Sequence, residues 1–277
     1  MPTAKSAARK PTIPLDNGYM LQPEDRPRYD HLITEDDTPV DSWFAEKQHR
    51  LLVEPLYSSW SGPPGEDQRF LAVTNVGLFN TDLERLPPVV PDMMLSLRVR
   101  APVGDRRKKE NRSYFIWRLG KPPDVAIEVV SNKEGDEDTR KLQHYADIQV
   151  PYYVIYDPDH HLSRQTLRVF KLDGGTYVPL SEPFFIPLVG LGLKLWDGEY
   201  QDYKAVWLRW CDKNGKLIPT GAEKVTQENR RATREKRKAL HEAQKVREEK
   251  QRADSAEERA RRLAAKLRKL GVDPDGE

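Results

Sequence analysis

The segment 122–132, PPDVAIEVVSN, restricts the fold more than any other part of the chain. Two prolines precede six β-favouring residues, 125–130, and Ser131-Asn132 closes the run, which predicts a strand. Both faces of that strand are apolar apart from Glu128, the pattern of a strand covered on each side. A carboxylate in such surroundings is costly unless it meets a cationic side chain or a metal ion. The chain continues as DEDTRKLQHYADIQV, where Leu142, Tyr145, Ala146 and Ile148 recur at helical spacing, and then as PYYVIYDP, a second apolar strand ended by Asp157-Pro158. Strand, helix and strand in that order imply a right-handed crossover within a mixed sheet.

The flanking segments extend this body. VDSWFAEKQHRLLVEPLY, residues 40–57, predicts a helix with Trp43, Phe44, Lys47, Leu51 and Leu52 near one side, Asp41 or Ser42 as its cap and Pro55 near its end. FLAVTNVGLF and VVPDMMLSLRV read as short strands, the second with an acid, Asp92, behind Pro91 at its start. TLRVFKL and TYVPL form a hairpin around Asp173-Gly174-Gly175, because Asp-Gly favours the positive φ that such turns demand. The expected body is α/β with five or more strands. With 277 residues of which 37% are hydrophobic, the chain suits one domain of roughly 150–200 residues plus polar extensions.

The extensions lie at the two ends. Residues 1–28, rich in Pro, Lys, Ala and Ser without periodicity, read as a disordered arm ahead of a domain over 29–212. Residues 213–277 read as a linker and a long charged helix, with Val225, Ala232, Ala239, Val246, Ala253, Ala260 and Leu267 recurring every seven residues. The companion heptad position is polar, so both a homo-oligomeric coiled coil and a lone solvated helix fit.

Net charge is uninformative as a total, +2, because it is divided: residues 222–277 carry 17 Lys and Arg against 12 Asp and Glu, and the remainder is slightly negative. Residues 98–121 hold nine basic and two acidic side chains, which favours an anionic neighbour. Lying between the two acid-bearing strands, this basic insertion is expected to have its ends close to both acids. Arg106, Arg107, Lys108, Lys109 and Arg112 could then meet phosphates, with Tyr114, Phe115 and Trp117 either stacking on bases or docking the loop on the body. A mobile loop with an aromatic anchor is the bland alternative. One cysteine, Cys211, and no apolar run long enough for a signal or a membrane span point to a reducing, cytoplasmic setting without membrane contact.

Taken singly, Glu128, Asp92 and Lys141 each have ordinary readings: a salt bridge, a turn acid, a solvated helix cation. Together they suggest more. Two acids on neighbouring strands can hold a hard cation such as Mg²⁺ through oxygen ligands, and a nearby ammonium can orient water and offset phosphate charge. The order PDMMLSL, PPDVAIEVVS, DTRKLQHYADIQVPYYVIYDP and the closing PLVGLGLKLW resembles the Uma-two-type endonuclease family, a branch of the PD-(D/E)XK restriction-endonuclease-like superfamily, over roughly residues 40–196.

That resemblance implies a restriction-endonuclease-like mixed sheet core flanked by helices, and a Mg²⁺-dependent endonuclease acting on DNA, with Mn²⁺ as a possible substitute. Asp92 and Glu128 would ligate the cation and Lys141 would position the attacking water. The superfamily lysine stands two places after the second acid, where this chain has Val130, so the lysine is taken from the next helix. Glu46 matches the acidic position that superfamily members often add on the first helix, although a surface helix acid reads the same way. Tyr145 shares the helix face of Lys141 and reads as core. Asp124 lies about 13 Å from Glu128 along an extended strand, too far to share an ion. His160-His161 reads as a solvated turn and Cys211 as structural. The rival class is a catalytically inactive binding or scaffold protein working through the basic loop and the coiled-coil tail.

Overall fold

The computed structural model describes residues 13–14, 20–21, 32, 42–81, 88–132 and 135–269. The arm expected over residues 1–28 lies outside them, apart from β1 (Ile13–Pro14) and β2 (Met20–Leu21), which pair antiparallel. Helix α1 (Trp43–Ser59) begins where Ser42 accepts a hydrogen bond from the Ala45 N–H at 3.1 Å. It leads to β3 (Phe70–Val73), β4 (Leu78–Phe79) and β5 (Met93–Leu97). The basic insertion contains β6 (Tyr114–Phe115) and α2 (Ile116–Leu119). Strand β7 (Val125–Val129), helix α3 (Arg140–Asp147) and β8 (Tyr152–Tyr156) follow, and β7 and β8 are parallel as the crossover requires. Next come β9 (Leu167–Asp173), β10 (Thr176–Pro179), β11 (Phe184–Ile186), β12 (Leu191–Tyr200), β13 (Tyr203–Cys211) and the long helix α4 (Gly221–Lys269).

The central sheet has six strands in the order β10-β9-β8-β7-β5-β3, parallel at β7–β8 and antiparallel elsewhere. The β9–β10 hairpin turns at Gly174-Gly175 with φ of +56° and +85°, the left-handed values that glycine tolerates. A second, antiparallel sheet has the order β11-β12-β13. Alternation along β7 sorts the core. Val125, Ile127 and Val129 pack with Leu52 and Leu56 of α1 and with Leu193, Leu208 and Trp210 of the small sheet. Ala126 packs on the other side with Tyr145 and Ala146 of α3 and Tyr153 of β8. Glu128 shares the parity of Ala126 and therefore faces α3.

Two details of α1 differ from the sequence expectation. Trp43 is 79% exposed, and the buried face runs through Ala45, Gln48, His49, Leu51, Leu52, Pro55 and Leu56. This rotation brings polar Gln48 inside, where it acts as a substitute strand. Strand β13 is an edge of the small sheet, and Gln48 Nε2 donates to the Leu208 carbonyl at 2.9 Å while Gln48 Oε1 accepts from the Leu208 N–H at 3.0 Å. Phe44 stacks on Trp207 of the same strand with ring centroids 5.1 Å apart.

The chain divides into two compact units, residues 1–221 and 222–277. In the first, Glu54 of α1 accepts from the Gly221 N–H at 2.8 Å, satisfying a donor at the start of α4 that has no partner within the helix. No helix among the described residues is long and apolar enough to cross a membrane. Because Gln48→Ala strips two buried backbone groups of their partners, it should cost about 2–4 kcal/mol. Urea unfolding should show a lowered midpoint at unchanged slope.

Candidate active site

Asp92 and Glu128 reach one place because of register. In the β5–β7 ladder Met93 faces Ile127 and Met94 faces Ala126, so one further step sets Asp92 opposite Glu128. Cross-strand partners have Cβ atoms about 4.5–5.5 Å apart. Asp92 Oδ2 also accepts the Val129 N–H at 2.6 Å, which ties the acid to the strand that carries its counterpart. Their exposures differ sharply: the Asp92 side chain is 25% accessible and that of Glu128 is 1%.

Helix α3 covers the buried acid. Lys141 and Tyr145 stand one turn apart on the same helix face. Lys141 Nζ donates to Glu128 Oε2 at 3.0 Å and the Tyr145 hydroxyl donates to Oε1 at 2.6 Å. Lys141 also donates to Glu137 Oε1 at 3.3 Å, so its ammonium is shared between two buried acids. Glu137 Oε2 is buried with no hydrogen-bond partner.

Burial, reinforced by the charge on Asp92, pushes the Glu128 pKa up to about 8. For Lys141, burial alone acts downward, but the charges of Glu128, Glu137 and Asp92 outweigh it and hold the ammonium above the usual lysine range. Burial and the neighbouring Glu128 push the Tyr145 hydroxyl far upward, so it stays a proton donor to the carboxylate.

The first helix contributes a residue not anticipated from sequence. Glu46 pairs with Arg50 on the partly exposed side of α1, where both act electrostatically on Tyr200. The α1 side chain that meets Asp92 is His49, whose Nε2 lies 3.3 Å from Oδ1 and whose Nδ1 lies 3.4 Å from Asn75 Nδ2. His49 Nε2 is buried and makes no aligned hydrogen bond. Glu137, His49 and the polar role of Tyr145 were all missed, since each reads in sequence as an ordinary helix or turn residue. The one available signal was spacing: Glu137, Lys141 and Tyr145 fall four residues apart in succession.

The basic insertion is placed differently from expectation. Because β5 and β7 are antiparallel, the connection leaves and returns at Leu97 and Val125, the strand ends opposite the acids. Five residues of strand put about 17 Å between those attachments and Asp92. Tyr114 and Phe115 are buried, β6 pairs with β4, and the Tyr114 hydroxyl meets Ser96 Oγ at 2.8 Å, so these rings dock the loop and leave no face for a base. Trp117 packs on Phe115 at 5.2 Å. Arg106, Arg107 and Lys108 are exposed; Lys109 donates to the Leu32 carbonyl at 2.8 Å and Arg112 to the Arg106 carbonyl at 3.3 Å. Asp124 is held by Lys121 and by the Leu97 N–H at 2.7 Å, apart from the acid pair. His160 lies in a turn and Cys211 is buried.

A mixed α/β core flanked by helices is the architecture that the resemblance implied, and within it Asp92 and Glu128 face each other on adjacent strands with Lys141 on the crossover helix. A family model described as Uma2, "Putative restriction endonuclease", matches residues 27–185, more than half of the chain. The chain belongs to the Uma2 family. The match ends before β12, β13 and α4. No curated protein matches the chain.

The Glu128 pKa carries a stability consequence. Its folded-state value lies above the ordinary 4.5, so the stabilisation of its protonated form is complete below that pH and is lost as pH rises through about 8. Without divalent cations, the stability advantage of Glu128→Gln over the parent should therefore grow by roughly 2–4 kcal/mol between pH 4.5 and 8.5. Chemical denaturation in chelator across that range checks it, and a constant difference would show that Glu128 does not titrate there.

Proposed function

We propose that the protein is a Mg²⁺-dependent endonuclease that hydrolyses DNA phosphodiester bonds. The observation that carries this reading is the pairing of Asp92 with Glu128 across adjacent strands, with Lys141 3.0 Å from Glu128. Membership of the Uma2 family supports it. Among the described residues no three His, Cys, Asp or Glu side chains group to hold a metal ion. Mg²⁺ keeps several of its waters and needs only one or two protein carboxylates, so a partly exposed acid opposite a buried one fits that demand. Asp92 and Glu128 would hold the cation, and Mn²⁺ suits the same oxygen donors.

The cation, when bound, supplies concentrated positive charge beside the scissile phosphate and makes nearby water more acidic. The protein's own groups do the rest. Lys141 places a fixed ammonium where the attacking water and the developing phosphate charge must be accommodated. Tyr145 fixes the rotamer of Glu128 through the oxygen that Lys141 does not use, while the Val129 N–H holds the Asp92 carboxylate at the mouth of the site beside His49. Glu137 shares Lys141 and thereby limits where its ammonium can move. Exchange of the Glu128 proton for a cation makes affinity rise with pH up to about 8.

A second reading has its own observation: both Glu128 oxygens are engaged, by Lys141 and by Tyr145, as in a purely structural ion pair. On that reading the chain is a catalytically inactive binding protein. Plasmid and single-stranded DNA incubated with Mg²⁺, Mn²⁺ or chelator separate the two. The nuclease reading expects divalent-dependent cleavage that Asp92→Ala and Glu128→Ala abolish with the fold intact, and a fall of about 10²–10³-fold in turnover for Lys141→Ala. Metal-independent cleavage, or none, would exclude it.

A further inference from the structure

We infer that the N-terminal half of α4 is a second nucleic-acid contact, a cationic stripe that grips the sugar–phosphate backbone of duplex DNA. The inference deepens the nuclease reading by adding a binding surface outside the segment matched to the family. Six of the nine residues 230–238 are Lys or Arg and one, Glu235, is acidic. All residues of this stretch are exposed.

Distribution around the helix matters more than the count. At 100° per residue, Arg230, Arg234, Arg237, Lys238 and His241 fall within an arc of about 100°. That arc lies opposite the line of Val225, Ala232 and Ala239, whereas the two acids between 226 and 241, Glu228 and Glu235, lie off it. Arg231, also off the arc, is consumed by Glu235 at 2.9 Å, and farther along the helix Arg261 and Arg262 pair with Glu257 and Glu258. None of the stripe arginines nor Lys238 has a carboxylate partner among the described residues. A lone solvated helix gains from i,i+4 pairs, as its distal half does, so a segment that leaves four neighbouring cations unpaired on one side carries unrelieved repulsion. An external polyanion relieves it.

From Arg230 to His241 the stripe is about 16 Å long, which matches the axial rise of about five phosphates on one DNA strand. Arginine suits phosphate oxygens through its planar fork of donors. An anionic membrane is a poorer partner, because the opposite line of Val and Ala offers none of the bulky apolar side chains that interfacial helices bury. If the apolar line instead pairs helices of two copies, the stripe still points outward, so the two roles are compatible.

The test uses the full chain and the quadruple variant Arg230→Gln, Arg234→Gln, Arg237→Gln, Lys238→Gln, since glutamine preserves length and helix propensity. Binding to a fixed 30-base-pair duplex is measured in chelator over a series of salt concentrations, and solution mass is recorded for both proteins. The expected result is a logarithmic salt slope shallower by about three and affinity at low salt reduced about tenfold or more, at unchanged mass. An unchanged slope would overturn the stripe. So would a slope change accompanied by a change in mass, which would assign these residues to self-assembly. Loss of slope in a chain that never cleaves DNA would sink the nuclease reading and leave the stripe standing; normal divalent-dependent cleavage with an unchanged slope would do the reverse.

Discussion

The hydrogen bond that Lys141 donates to Glu128 is the interaction on which the arrangement around the candidate site depends. A carboxylate near the end of a strand covered on both faces cannot be left alone, since an isolated buried charge is among the most costly defects a fold can carry. Helix α3 relieves the defect with two side chains one turn apart, Lys141 on one oxygen and Tyr145 on the other. Those two contacts fix the rotation and depth of α3 over β7, and with them the start of β8, whose Tyr153 hydroxyl donates to the Glu137 carbonyl at 2.8 Å. The crossover is thus held by polar contacts at its acid end and by apolar packing of Ala126, Tyr145 and Tyr153 behind it.

Helix α1 performs the corresponding task on the other side of the sheet. Three of its polar side chains serve three different parts of the first unit: Gln48 completes the edge of β13, His49 meets Asp92, and Glu54 receives the first N–H of α4. A helix with so many polar residues on its inner face has little apolar surface to hold it, and Leu51, Leu52, Leu56 and the stacked Phe44 provide that hold. The hydrogen bonds of Gln48 and Glu54 are directional, so the helix cannot slide without breaking them. Asp92 accepts the Val129 N–H through Oδ2 and has His49 beside Oδ1, yet its side chain remains partly open to solvent.

Much of the core was legible because each of its strands carries its own signal. The run 125–130, the crossover helix and the second Tyr- and Val-rich strand declare themselves by period and by their flanking Pro and Asp, and the Asp-Gly-Gly turn announces its hairpin. The long β12–β13 hairpin does not. It turns at Gln201-Asp202 with φ of +49° and +62°, a left-handed pair built without glycine, and its apolar residues cluster at the open end instead of alternating along its length. His49 was invisible for another reason: a buried histidine on a helix has the same sequence signature whether it packs or touches an acid. The site of the basic insertion was misjudged because nearness in sequence was taken for nearness in space, whereas an antiparallel ladder sends the connection to the far end.

Stability alone gives little reason for the acid pair. Two like charges on facing strand positions oppose each other, and a buried ion pair can commonly be replaced by apolar side chains of similar volume with no loss of stability, sometimes with a gain. The core around Glu128 is otherwise well supplied with Val, Ile and Tyr, so packing alone gives no reason for a carboxylate there. Burial and the facing charge of Asp92 raise the Glu128 pKa, which is the cost of placing an acid there. Strongly perturbed carboxylates concentrate at functional sites. On the proposed reading a bound cation would offset that cost, since positive charge beside the two acids would compensate both the desolvation of Glu128 and its repulsion with Asp92.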